Sequence, residues 1–220
     1  MRDLRRSLAV YVVTSSGVVP GRDHLDVARA AIEGGAGTVQ LRAPELQDRP
    51  GELLAVAEEI AALCRPRGVL FIVNNVLDVA VDSGAAGVHL GQGDEVASSR
   101  QTLGPDRVLG VSVETPEQAR AAERLGSTYL GVTVFSTATK PEARPVGLEG
   151  MRDIVSATSL PVVGIGGIDA SNAPVVLSTG AAGVAAISAV GGADDPVQAT
   201  RELVAAVEGF LRQQGFRLQG

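Results

Sequence analysis

The sequence predicts an α/β fold, a single (β/α)8 barrel of the TIM type spanning residues 1–220. Three observations carry that prediction. Short apolar, β-branched runs recur eight times, and each is followed by a longer stretch whose apolar residues fall at helical spacing. Glycine-containing junctions of similar sequence close several of the helical stretches and open the next run, so the chain repeats with the period of one βα unit. The length of 220 residues lies between the ~200 that such a barrel needs and the ~250 that is usual.

The elements follow in order. Strand-like runs cover residues 8–13 (LAVYVV), 38–41 (TVQL), 69–73 (VLFIV), 87–90 (GVHL), 108–111 (VLGV), 128–132 (TYLGV), 161–165 (PVVGI) and 183–187 (GVAAI). Helix-like segments follow at 25–33, 52–64, 76–82, 96–103, 116–125, 148–156, 172–178 and 196–212. Thr115-Pro116-Glu117 and Asp195-Pro196 place a capping residue before a proline at the first helical position, a start signal. The junctions are Gly34-Gly35-Ala36-Gly37, Ser83-Gly84-Ala85-Ala86-Gly87, Leu125-Gly126-Ser127 and Thr179-Gly180-Ala181-Ala182-Gly183. A glycine ending a helix can take the left-handed C′ conformation, and small residues let helix and strand approach closely. An open doubly wound sheet is the other arrangement of the same units. No linker, charge block or shift in composition divides the chain.

Composition narrows the function. A lone cysteine, Cys64, excludes a disulfide framework and thiolate metal sites and fits a reducing compartment. A formal net charge of −6 and only 3% aromatic residues argue against a nucleic-acid surface. No apolar run reaches the ~18 residues of a spanning helix, and the start lacks the apolar core of a signal peptide. A cytoplasmic protein acting on small molecules, with no membrane partner, is the expectation. Homo-oligomerisation stays open.

Active sites of such barrels lie at the C-terminal ends of the strands, so the residues directly after each run are the candidates. They are Gln40 and Arg42, Asn74 and Asn75, the Gly91-Gln92-Gly93-Asp94 loop, Ser112, the stretch Ser136-Thr137-Ala138-Thr139-Lys140, Gly164-Ile165-Gly166-Gly167, and Ser188 after Ile187. The glycine loop and Ile187-Ser188 fit a phosphate site built from the last two strand ends, where backbone N–H groups face an anion. Lys140 with Thr137 and Thr139 suits a phosphate or diphosphate, and the Arg42 guanidinium can grip one bidentately. Asp94 is a candidate ligand for a hard cation such as Mg²⁺. His24 and His89 are the only histidines. His89 sits inside a strand-like run, where a packed, hydrogen-bonded role is expected. No Ser/His/Asp or Cys/His nucleophile arrangement can be assembled.

These motifs, in this order and spacing, resemble the thiamine-phosphate synthase family over residues 8–211. The resemblance rests on Gln40-Leu41-Arg42, Asn74, the GVHLGQGD block ending at Asp94, Gly110-Val111-Ser112, Thr137-Ala138-Thr139-Lys140, the glycine loop and Ile187-Ser188. It implies a transferase of thiamine biosynthesis that joins 4-amino-5-hydroxymethyl-2-methylpyrimidine diphosphate to a thiazole phosphate and releases diphosphate. By the same resemblance Arg42, Asn74, Ser112 and Lys140 would serve the pyrimidine diphosphate, with Ser112 and Lys140 catalytic at the leaving group, and Gln40 would bind substrate. Asp94 and Asn75 would hold Mg²⁺. Thr137 and Thr139 would serve the thiazole, and Gly167, Ile187 and Ser188 its phosphate. A thiazole tautomerase, or a repurposed member binding a phosphorylated heterocycle, is the alternative within the same superfamily.

Two positions depart from the family pattern. Pro44 stands where a lysine is usual, and Asn75 where an aspartate is usual. Both fall on the diphosphate and metal side. Arg49, five residues past Pro44, is a candidate replacement for the missing cation.

Overall fold

The computed structural model describes residues 3–16, 18–91, 95–136 and 144–215. Its strands are β1 (Val10–Thr14), β2 (Thr38–Leu41), β3 (Leu70–Asn74), β4 (Gly87–Leu90), β5 (Val108–Ser112), β6 (Tyr129–Thr133), β7 (Val162–Ile165) and β8 (Gly183–Ala186). All pairs are parallel, each strand lies beside the next in sequence, and β8 closes on β1. The expected closed (β/α)8 barrel is therefore the fold, and the open sheet is not.

Helices follow the strands: α2 (His24–Gly34), α3 (Pro50–Cys64), α4 (Leu77–Asp82), α5 (Val96–Leu103), α6 (Pro116–Arg124), α7 (Gly147–Ser156), α8 (Ala173–Leu177) and α10 (Pro196–Gln213). The expected caps form, since Thr115 and Asp195 accept from the amides of Gln118 and Gln198 three residues on. Two helices were not expected. α1 (Leu4–Leu8) takes the start of the first apolar run, because Asp3 caps it and Leu8 is needed as a fully buried plug at the bottom of the barrel. α9 (Ser188–Gly191) is a single turn directly after β8.

The glycine junctions do two things within four or five residues. Gly35, Gly84, Gly126 and Gly180 all have φ between +71° and +96°, the left-handed ending that a side chain would strain. The glycines that open the next strand have no space for a side chain. A Cβ on Gly87 would sit 1.8 Å from the Val108 carbonyl oxygen, and one on Gly183 would sit 1.9 Å from that of Leu8.

Because neighbouring residues of a strand face opposite sides, the closed sheet sorts its side chains into two interiors. The outer one fills the space between sheet and helices with aliphatic residues such as Val39, Ile60, Val88, Leu109, Ile154 and Val184. The inner one, within the lumen, is smaller and contains both tyrosines: Leu8, Tyr11, Val13, Tyr129, Val163 and Ala185.

Candidate active site

A pocket opens from the lumen at the C-terminal ends of the strands. Gln40 and Arg42 line it from the β2 end, Asn74 from β3, His89 from β4, Ser112 from β5 and Ile187 from just beyond β8. Five of the residues named from sequence thus meet in one cavity: Gln40, Arg42, Asn74, Ser112 and Ile187. Tyr11, His89 and Tyr129 join them, although no part of the sequence pattern singled them out for the site.

These groups form one hydrogen-bonded chain across the lumen. Gln40 Nε2 donates to the Tyr11 hydroxyl at 2.6 Å, and the Tyr11 and Tyr129 hydroxyls are 2.9 Å apart. The Tyr129 hydroxyl lies 2.8 Å from His89 Nδ1, and His89 Nε2 lies 3.0 Å from Ser112 Oγ. Gln40 fixes only the first direction, since a hydroxyl accepts twice and donates once, and the Tyr11–Tyr129 and Tyr129–His89 bonds can each run either way with the imidazole tautomer. His89 thus bridges the Tyr129 hydroxyl and Ser112 Oγ through its two ring nitrogens, which couples the Ser112 hydroxyl to the buried phenols. Burial holds both phenols well above the usual tyrosine range. At Tyr11 the bonds from Tyr129 and Gln40 only partly offset that effect. Both phenols therefore stay neutral.

Glycines make the arrangement possible. His89 is in register with Gly110, and Gly110 with Tyr129. A Cβ on Gly110 would lie 2.2 Å from the Tyr129 ring and 2.5 Å from His89 Nδ1, and one on Gly131 would lie 2.9 Å from His89 Cε1. A glycine inside a strand marks such a close approach, which is the sequence signal that would have found His89 and Tyr129. The expected hydrogen-bonded role of His89 is met, and its ring also lines the cavity. No histidine adjoins Ser112 in sequence, but the fold brings one to it.

At the β2 and β3 side, the half-buried Arg42 guanidinium bonds no group among the described residues. Asn74 Nδ2 bonds the Asn75 side-chain oxygen at 3.2 Å and the His89 carbonyl at 3.3 Å. Asn75 is exposed and has φ +61°, a conformation asparagine tolerates better than most residues. Its amide oxygen is a donor of the kind a hard cation takes, which suits Mg²⁺ if a carboxylate joins it. That carboxylate would be Asp94, which lies outside the described residues, as do Thr137, Thr139 and Lys140. No group of three or more His, Cys, Asp or Glu side chains that could hold a metal occurs among the described residues. Pro44 begins a single 3₁₀ turn, Pro44–Leu46. Arg49 does not reach back to the pocket, because its guanidinium bonds Glu52 at 2.7 Å and the Glu45 carbonyl at 3.1 Å.

On the opposite side of the mouth, Gly166 and Gly167 have φ +92° and +59° and press against the end of β6. A Cβ on Gly166 would lie 2.5 Å from the Phe135 carbonyl oxygen. Asn172 Nδ2 bonds the Gly167 carbonyl at 2.8 Å and ties the loop to the start of α8. Gly167 and Ser188 are exposed at the rim, beside the adjacent ends of β7 and β8. Ser188 starts α9, whose first amides have no partner within the helix.

Fold and site together define a (β/α)8-barrel enzyme with a polar lumen, a cationic group on one side of its mouth and a glycine loop on the other. A family model described as thiamine monophosphate synthase matches residues 10–190. A thiamine-phosphate synthase of Moorella thermoacetica is 46% identical over 197 residues, 88% of this chain and 93% of that one. One of Roseiflexus castenholzii is 47% identical over 197 residues, 88% of this chain and 86% of that one. Among solved structures, a thiamine phosphate pyrophosphorylase from Pyrococcus furiosus superposes with a TM-score of 0.87 at 39% identity, covering 95% of this chain and all of that one. The chain belongs to the thiamine monophosphate synthase family, a family of transferases in thiamine biosynthesis. A 3-hexulose-6-phosphate synthase at 18% identity, with a TM-score of 0.69, shares the fold alone.

Proposed function

We propose that this protein joins 4-amino-5-hydroxymethyl-2-methylpyrimidine diphosphate to a thiazole phosphate, giving thiamine phosphate and diphosphate. The observation that carries this reading is the single cavity in which Gln40, Arg42, Asn74 and Ser112 meet the end of β8 at Ile187. One aromatic ring can sit over the lumen there while two anionic groups lie on opposite sides of the mouth.

The bond between the pyrimidine methylene carbon and the diphosphate oxygen breaks first, and its electron pair leaves with the diphosphate. The thiazole nitrogen then gives its lone pair to the methylene cation, forming the C–N bond. Such a reaction needs no protein nucleophile. Arg42 and Lys140 hold the departing diphosphate, and Ser112 hydrogen-bonds to it. The chain through His89, Tyr129 and Tyr11 keeps Ser112 turned the right way. Because the two phenols are neutral, they solvate the pyrimidine cation without quenching it. Asp94 and Asn75 would hold Mg²⁺, which when bound neutralises charge on the diphosphate. Thr137 and Thr139 contact the thiazole, and backbone amides around Gly167, Ile187 and Ser188 receive its phosphate.

Purified protein given both substrates and Mg²⁺ should release thiamine phosphate and diphosphate in equal amounts, measured by chromatography and a diphosphate assay. Binding of thiazole phosphate with no coupled product, or its isomerisation alone, would overturn the reading. With turnover established, Asn75→Asp should lower the Mg²⁺ concentration for half-maximal rate several-fold by restoring a carboxylate.

A further inference from the structure

The stretch between β1 and α2 contributes little to the lumen cavity, yet it holds two partly buried contacts of unusual reach. β1 lies between β2 and β8 in the closed sheet, so the chain leaving it passes between the two sides of the mouth.

Toward β2, His24 opens α2 and is only 5% exposed. Its Nε2 lies 2.7 Å from Glu45 Oε1, and its Nδ1 lies 2.8 Å from Thr14 Oγ1. Glu45 also accepts from the Ser16 hydroxyl. Burial opposes ionisation of this carboxyl, but the bonds from Ser16 and His24 outweigh it and hold the group below the ordinary glutamate value. An ionised Glu45 only accepts, so His24 donates from Nε2. Glu45 stands three residues after Arg42, in the 3₁₀ turn that begins at Pro44. The bonds of His24 and Ser16 thus anchor the turn that begins two residues after Arg42, and so one end of the short link that carries Arg42 from β2.

Toward β8, Arg22 donates from Nη1 to the carbonyls of Gly191 and Ala193 at 2.9 and 2.6 Å. The Gly191 oxygen ends α9, the turn that Ser188 begins, and that of Ala193 lies two residues beyond it. Val18 closes the same junction: a Cβ on Gly192 would lie 3.1 Å from Val18 Cγ1. The capping box of Asp23 and Asp26 locks the start of α2 between Arg22 and the rest of the helix.

We infer that the β1–α2 connection is a positioning element with two independent arms: His24 with Glu45 sets Arg42 for the diphosphate of one substrate, and Arg22 sets α9 for the phosphate of the other. The inference rests on the proposed reaction, and it assigns roles to Arg22, His24 and Glu45 that contact no substrate. Groups that orient a ligand-binding residue typically change affinity or activity about 10- to 100-fold when removed.

The test is steady-state kinetics with each substrate varied in turn, on protein whose wild type has first been shown to form thiamine phosphate. His24→Ala and Glu45→Ala should raise KM for the pyrimidine diphosphate about tenfold and leave KM for the thiazole phosphate within about twofold. Arg22→Ala should do the reverse. His24→Gln, which keeps a donor near the Nε2 position, should recover most of the loss. If the variants lose melting temperature but keep both KM values, or move both together, the connection is only structural and the inference fails. Should an alanine variant not fold, His24→Gln and Arg22→Lys are read by the same split, and no split overturns the inference. A wild type that makes no thiamine phosphate defeats the underlying reaction instead.

Discussion

Toward the helices, the strands present Val39, Val88, Leu109 and Val184, all fully buried; toward the lumen, the next residues of the same strands are Gln40, His89, Gly110 and Ala185. The outer layer is filled by aliphatic bulk, whereas the lumen gives up bulk at Gly110, Gly131 and Ala185 to hold polar rings in fixed contact. One set of strands therefore serves two ends. The outward half of each supplies stability through apolar burial, and the inward half supplies geometry, where a few tenths of an ångström matter more than area.

Substitutions in the two layers should separate these roles. Gly110→Ala strikes hardest, because its Cβ would meet Tyr129 and His89 at impossible distances. We expect a fall in kcat/KM of about 100-fold together with a loss of about 3 kcal/mol by overpacking, read by steady-state assay and urea unfolding. If the variant keeps its full activity, the lumen chain has no part in catalysis. Ile60→Ala, in the outer layer of α3, leaves a cavity and should cost about 2–5 kcal/mol while both KM values stay unchanged. An equal loss of activity in the folded protein would erase the distinction between the layers. The smallest effect concerns Cys64, 1% exposed, whose thiol burial pushes up to about 12. A raised thiol value keeps it protonated from pH 7 to 9, where a free cysteine near its ordinary value would already be forming thiolate. Thiol reagents should therefore leave the native protein unlabelled across that range and modify it fully in denaturant.

The outer layer was the legible one. Runs of Val, Ile and Leu announce buried parallel strands directly, and the glycine junctions mark where each helix turns back, so eight units and their order could be read from the chain. Arg42, Asn74 and Ser112 were also readable, since a polar residue ending an apolar run has only the mouth to face. Tyr11 and Tyr129 were not, because an aromatic within LAVYVV or TYLGV looks like ordinary core until the sheet is closed and its inward face becomes a lumen. His24 was hidden for a different reason. Its partner Glu45 lies 21 residues away, across a strand, and no local pattern links them. α9 escaped because a single turn of Ser-Ala-Val-Gly has too few residues to show a helical period.

The closing of β8 on β1 also sets the order in which the molecule can be completed. The Tyr11–Tyr129 contact joins residues 118 positions apart, so the polar chain cannot exist until β6 has been synthesised. The ring itself cannot shut until β8 has joined β1. Contacts of such long sequence separation form slowly, since chain entropy must be lost before they return any stabilisation. The pocket arrives only near the end of synthesis, and a truncated chain lacking β8 has no closed site with which to work.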